Sequence, residues 1–311
     1  AHLGAWRSML RRVPHMTRDE AEDELRRIVL RMTNDIAGNF DPRVYDIARE
    51  GIPRLLVGTI RPRALPAALL GGNLDALDRL MTVEGDLDHL RRVEKHATLV
   101  YVPTHSSNLD SIVLGYALER VGLSPVMYGA GKNLFTNPFI SFFMHNLGAY
   151  RVDRRIKHNL YKDVLKTYSA VLLERGYHSL FFPGGTRSRS GGIERRLKLG
   201  LMGSAVEAYA RTLTAGRERR VYFVPSTINY LITLEAETLI ADFLSEAGKA
   251  RFIIEDDEST RLGRMGSFVR KLLGMDSSVV VRFGRPIDPF GNAVEADGES
   301  YDRRGRRVDP A

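Results

Sequence analysis

The chain has 311 residues, of which 43% are hydrophobic and 27% charged, and a net charge of +8 at neutral pH. That length supports one large core or two modest ones, and the basic balance points to anionic partners: phosphorylated substrates, anionic lipid or nucleic acid. Zero cysteines exclude disulfides, thiolate metal sites and a cysteine nucleophile. The histidines lack H-x3-H or H-E-x-x-H spacing, no apolar run reaches about 18 residues, and no signal pattern opens the chain. Neither a zinc site, a transmembrane helix nor a secretory leader is expected, and the start at Ala1 instead of Met suggests a trimmed N-terminus.

Residues 1–95 read as a helical N-terminal domain or cap. Thr17 with Glu20 makes a capping box ahead of an apolar stripe of Leu25, Ile28, Val29 and Met32. Asp41-Pro42 opens a second helix that Gly51 is expected to close, and further helical stretches cover about 64–81 and 86–96. From residue 96 to 290 the pattern alternates strands and helices, which argues for an α/β domain with helices packed on a sheet. Expected strands are 98–102, 125–128, 148–152, 179–183, 221–227, 251–254 and 278–283. Residues 291–311, rich in Gly, Asp and Arg, read as a poorly ordered tail.

The first strand, Thr98-Leu-Val-Tyr-Val102, stops at Pro103, and a helix is expected from Leu109 to about Arg120. His105 lies on the connection and Asp110 in the helix's first turn, so the two side chains can meet across the bend. Such a pair is an acid–base site in outline; the bland alternative is a carboxylate favouring a helix's positive end and a histidine capping a turn. Spacing alone is weak, because 8 His and 20 Asp supply about half an H-x4-D match by chance. The second match, His158 with Asp163, falls in a helical pattern from Arg154 to about Arg175. There a five-residue separation turns the side chains about 140° apart, so that pair reads as surface.

Two later segments carry basic side chains at strand ends. Arg151 and Arg154 in Gly148-Ala-Tyr-Arg-Val-Asp-Arg154 are either a solvated strand terminus or guanidinium forks aimed at an anion. Phe181-Phe-Pro-Gly-Gly-Thr-Arg-Ser-Arg-Ser-Gly-Gly192 runs from a strand into a glycine-rich basic loop, a phosphate cradle or a flexible linker. It is no Walker loop, since no Gly-Lys-Ser/Thr follows. Val221-Tyr-Phe-Val-Pro-Ser226 is a strand ended by Pro225. Pro138-Phe-Ile-Ser-Phe-Phe-Met144 is an apolar segment, either a core helix or a peripheral membrane contact.

In this order the segments resemble the four sequence blocks of the glycerolipid acyltransferase superfamily. His105, Ser107 and Asp110 match the His-x-Ser-x-x-Asp block, and Gly148, Val152, Asp153 and Arg154 match the second. Phe182, Pro183, Gly185, Thr186, Arg187 and Ser188 match the third, and Val224 with Pro225 the fourth. Val281-Arg-Phe-Gly-Arg-Pro-Ile287 looks like the family's closing strand, so the resemblance spans roughly 97–290. Gly184 departs from the pattern, standing where the family has a Glu associated with the acceptor; Glu194 lies further along the loop. Ser106 and Asn108 also depart, standing where Arg and an aromatic are common. Pro103-Thr104 before the histidine, and the Arg-Ser-Arg-Ser-Gly run followed by Lys198-Leu-Gly200, look closest to the glycerol-3-phosphate branch.

The resemblance implies a mixed β-sheet flanked by helices, with the N-terminal helical segment outside it. It implies acyl transfer from acyl-CoA or acyl carrier protein to glycerol-3-phosphate in phospholipid synthesis, with no cofactor beyond that thioester co-substrate and no metal. His105 would be the general base and Asp110 its orienting partner, with amides at the start of the 109–120 helix as oxyanion donors. Arg151, Arg154, Arg187, Arg189 and Lys198 would bind the acceptor phosphate, while Ser107, Gly185 and Thr186 belong to the acceptor loops. The expected setting is cytoplasmic, peripheral on the cytoplasmic face of the inner membrane, without nucleic acid. Lysophosphatidate acylation is the nearest alternative, and a basic lipid- or nucleic-acid-binding protein without catalysis the next. A serine nucleophile at Ser106 or Ser107 is disfavoured because no Gly-x-Ser-x-Gly elbow is present.

Overall fold

The computed structural model describes residues 15–60, 81–107, 110–185, 197, 199–230 and 279–308. In chain order these form helices α1 (Arg18–Ile36) and α2 (Pro42–Ile60), strand β1 (Met81–Glu84), helix α3 (Leu87–His96) and strand β2 (Ala97–Pro103). Helix α4 (Asp110–Arg120), strand β3 (Met127–Gly131), a 3-10 turn (Lys132–Phe135), helix α5 (Pro138–Asn146) and strand β4 (Ala149–Val152) follow. Then come α6 (Asn159–Glu174), β5 (Ser179–Leu180), α7 (Gly203–Thr214), β6 (Arg220–Tyr230), β7 (Val279–Phe283), β8 (Ala293–Val294) and β9 (Ser300–Tyr301).

Seven strands form one mixed sheet in the order β1-β7-β6-β2-β5-β3-β4. The five from β6 to β4 run parallel, and the β7–β1 pair runs against them because β7 joins β6 antiparallel. The mixed α/β architecture expected from the sequence is thus the one observed. β2 and β6 are the central strands and read as continuous apolar runs because helices cover both faces. Leu90 and Val93 of α3, Leu114 and Leu118 of α4, and Ala205 and Ala208 of α7 enclose them in the main core. A second cluster of Ile36, Tyr150, Tyr161, Val164 and Leu165 seats α1 and α6 over β4.

The N-terminal region is not helical throughout. Met81–Glu84 is a strand that pairs in parallel with β7, Met81 opposite Val279, and α3 packs into the main core. α3 leads directly into β2, so residues 95 and 96 lie within one packed unit. Four residues at a sheet edge are too few for an alternating pattern to stand out. The α1 capping box forms as expected. Helix α2 runs through Gly51 to Ile60 without stopping, since one internal glycine costs only about 1 kcal/mol. Its Tyr45 hydroxyl donates to Glu119 Oε2 on α4 at 2.6 Å, fastening α2 to the sheet domain.

Residues 291–308 are not a loose tail. β8 and β9 pair, Tyr222 donates to the Gly298 carbonyl at 2.6 Å, and His89 Nε2 lies 2.8 Å from the Val294 carbonyl. β3 starts two residues later than expected and runs to Gly131, β5 is reduced to Ser179–Leu180, and α6 begins at Asn159 instead of Arg154. An Asx turn causes the last change: Asp153 Oδ1 accepts the Arg155 amide at 3.1 Å. Of the helical stretch expected at about 64–81, residues 64–80 lie outside the described residues, as does the strand at 251–254, and Met81 opens β1.

Candidate active site

β2, β5, β3, β4 and β6 all run the same way, so the loops that follow them gather along one edge of the sheet. That carboxyl edge is where open α/β sheets place their ligands. It holds His105 after β2, Phe182–Gly185 after β5, and Arg151–Arg154 at the end of β4.

The β2 loop is tied down before it reaches His105. Its last ladder pair is Pro103 with Ser226, and Pro103 has no amide to extend the ladder. Thr104 takes over: its amide donates to the Ser226 carbonyl at 3.3 Å, and its Oγ1 accepts the Ile228 amide at 3.0 Å. His105 Nδ1 then lies 2.8 Å from Asp110 Oδ2. The same oxygen accepts the amides of Ser106 at 2.7 Å and Ser107 at 3.0 Å, while the Asp110 amide donates back to the Ser107 carbonyl at 3.2 Å. Asp110 thus supplies the carboxylate half of a capping box, placed at the positive end of α4.

Asp110 is fully buried, and its other oxygen, Oδ1, accepts the Tyr230 hydroxyl at 2.6 Å. Four donors on one carboxylate offset the desolvation that burial imposes. The His105 side chain retains 17% exposure and stacks on Phe182, with ring centroids 4.0 Å apart and planes 21° from parallel. With Nδ1 donating to the carboxylate, Nε2 carries the lone pair; among the described residues it has no hydrogen-bond partner.

The other expected site residues divide. Ser107 is buried, and its amide serves Asp110. Gly185 turns the β5 loop back at φ 66°, its amide donating to the Phe182 carbonyl at 3.0 Å, which fixes the ring that covers His105. Gly184 is buried. Arg151 lies on β4, three strands or about 14 Å of backbone from β2, with its guanidinium 5.0 Å from the centre of the Phe135 ring. Arg154 is exposed in the turn beyond and makes no hydrogen bond or ion pair among the described residues. Neither arginine touches His105. Thr186, Arg187, Arg189 and Lys198, with Glu194, lie outside the described residues. The Ser106, Ser107 and Asp110 amides are committed within the loop, so they are not oxyanion donors as the loop stands.

Gly148, a motif residue, has a structural role. Its φ is 90°, and a Cβ there would collide with Met127 Sδ. His158 and Asp163 are both exposed, as surface residues; His158 precedes α6 as its N-cap. Tyr230 was invisible in the sequence as a site residue. The signal was only its period-2 relation to Ser226 and Ile228 on a strand already expected next to His105's own.

A family model described as Acyltransferase matches residues 86–229. The glycerol-3-phosphate acyltransferase of Pseudomonas paraeruginosa is 30% identical over 222 residues, 70% of this chain and 25% of that protein. That of Pasteurella multocida is 32% identical over 207 residues, 65% of this chain and 24% of that protein. The chain spans about a quarter of the length of the curated relatives it matches. A solved structure of the 1-acyl-sn-glycerophosphate (LPA) acyltransferase of Thermotoga maritima matches 86% of this chain and 88% of its own at a TM-score of 0.39 and 15% identity. Residues 86–229, which contain the His105–Asp110 pair, the β4 turn and nearly all of β6, are the part of the chain that is similar to the acyltransferase family.

Proposed function

We propose that this chain moves a fatty acyl group from acyl-CoA or acyl carrier protein to the hydroxyl of glycerol-3-phosphate, in phospholipid synthesis. The observation that carries the reading is a buried carboxylate holding His105 by Nδ1 at the carboxyl edge of the sheet. The names of the relatives favour glycerol-3-phosphate as acceptor. In this reading His105 Nε2 removes the acceptor's hydroxyl proton as that oxygen attacks the thioester carbonyl. A tetrahedral intermediate forms, its collapse breaks the carbon–sulfur bond, and the imidazolium returns the proton to the departing thiolate. Asp110 holds the imidazole in the required tautomer and balances its charge. No acyl-enzyme is needed in this reading.

Arg151 and Arg154 on the β4 side, with Arg187, Arg189 and Lys198, are the proposed phosphate ligands. The about 14 Å between β2 and β4 leaves room for an acceptor whose hydroxyl meets His105 while its phosphate meets an extended arginine. A peripheral site on the cytoplasmic membrane face suits a lipid product. No helix among the described residues is long and apolar enough to cross a membrane, and Phe142 of α5 is 53% exposed. The test is an acceptor screen with one acyl-CoA against glycerol-3-phosphate, dihydroxyacetone phosphate and lysophosphatidate. Turnover on glycerol-3-phosphate is expected to lead; no turnover on any of the three sinks the reading. Flotation with anionic vesicles tests the membrane part, and protein left at the bottom of the gradient refutes it.

A further inference from the structure

Asp110 uses its two oxygens differently. Oδ2 collects three N–H donors from the loop that carries His105, while Oδ1 faces away and takes one hydroxyl from a residue 120 positions along the chain. We infer that Tyr230 is a positioning residue for the proposed base: its hydroxyl fixes the plane of the Asp110 carboxylate and draws charge from it, setting how strongly Asp110 holds the His105 imidazolium. The inference rests on the reading of His105 as the base.

The fold gives Tyr230 little freedom to do anything else with that hydroxyl. Its backbone is the last residue of β6 and pairs with Val279 of β7, while its ring packs against the main core. The ring is anchored by packing and the hydroxyl by a 2.6 Å bond to a fully buried carboxylate. Without that bond Oδ1 would be an unsatisfied buried acceptor, and the carboxylate would be free to rotate about its Cβ–Cγ bond. The groups that meet the pair are few. Asp110 meets His105 and the amides of Ser106 and Ser107 from the β2 loop, and Tyr230 from β6; His105 meets Asp110 and the Phe182 ring. Among the described residues no other charged group is hydrogen-bonded or ion-paired to either side chain.

Tyr230→Phe keeps the packed ring and removes only the hydroxyl. The expected result is a kcat/KM about tenfold lower, the scale of one lost hydrogen bond to a charged group. Charge no longer drawn toward Oδ1 concentrates on Oδ2 and stabilises the imidazolium, so the acidic limb of the kcat/KM profile moves to higher pH. 3-Fluorotyrosine incorporated at position 230, a stronger donor of the same shape, is expected to move the limb the other way. A double-mutant cycle supplies the third readout: in a His105→Ala background, Tyr230→Phe should cause no further loss. An acidic limb that stays put in Tyr230→Phe, or equal losses with and without His105, overturns the inference and leaves Tyr230 a structural link between β6 and α4. High activity in His105→Ala alone refutes the base instead, a distinct outcome.

Discussion

Two histidines sit at opposite edges of the sheet, and they carry opposite tautomers. At the carboxyl edge His105 presents Nδ1 to a carboxylate, so the proton is on Nδ1 and the lone pair on Nε2. At the amino edge His178, 6% exposed, accepts the Leu99 amide of β2 on Nδ1 at 2.8 Å, so its proton must be on Nε2. His178 also lies beside the Arg219 guanidinium; burial first, and that charge second, push its pKa down to about 4. One imidazole is held by a buried carboxylate, and the other is kept neutral chiefly by its own burial. The two imidazoles also differ at Nδ1, which meets a carboxylate in one case and a backbone amide in the other. A histidine at a strand end is therefore not informative until its Nδ1 partner is known.

Replacing each histidine tests the contrast. On the proposed reading, His105→Ala is expected to lower kcat by about 10²–10⁴-fold with circular dichroism unchanged. A folded His105→Ala protein with near-normal turnover would break the comparison at its active half. At His178 the expected change is in stability. Its folded pKa of about 4 lies below the ordinary 6.5, so the unfolded chain binds the proton more readily. Stability present above pH 6.5 is lost as pH falls, by about 3 kcal/mol at pH 4, and more slowly below that. Denaturant midpoints measured from pH 7 to pH 4 should fall in the wild type and flatten in His178→Gln. An unchanged slope in the variant would remove His178 from the account.

How legible these edges are in the sequence follows from how local their interactions are. His105 and Asp110 could be read because both lie within one strand–loop–helix connection, where Pro103 and the helix start fix the bend between them. Tyr230 could not, because its contact with Asp110 depends on the β2–β6 register and on β7 clamping the far end of β6. The central strands β2 and β6 stood out as long apolar runs, whereas β1 has four residues at a sheet edge. The C-terminal segment misled for a physical reason: its Gly and Asp residues are turn formers, not marks of disorder. Asp288 Oδ1 accepts the Phe290 and Asn292 amides, and Asp302 Oδ1 those of Arg304 and Arg306, all at 2.8–2.9 Å.

Motif membership does not divide along the same line as function, and Gly148 makes the point. It belongs to the second sequence block, yet it starts β4 at the amino edge, on the His178 side, where Met127 leaves no room for a Cβ. Gly148→Ala is expected to cost about 2 kcal/mol through the collision and the left-handed backbone together. The change should appear as a lower melting temperature, with the acceptor KM of the remaining folded enzyme unaltered. A raised KM at unchanged melting temperature would move Gly148 into the site.

Five residues past β4's first pair, at Arg154, the same block ends at the other edge, and the expected balance reverses. Arg154 is exposed and unengaged among the described residues, so Arg154→Ala should leave stability within about 0.5 kcal/mol. If its guanidinium meets the acceptor phosphate, KM for glycerol-3-phosphate rises about tenfold, and the rise is steeper at low salt because an exposed charge is screened. Arg151, on β4 itself, is the control: its cation–π contact with Phe135 means that Arg151→Ala loses packing as well as charge. A KM rise confined to Arg151→Ala would shift the phosphate inward along β4. A KM that neither change moves would leave the phosphate to the loop after β5.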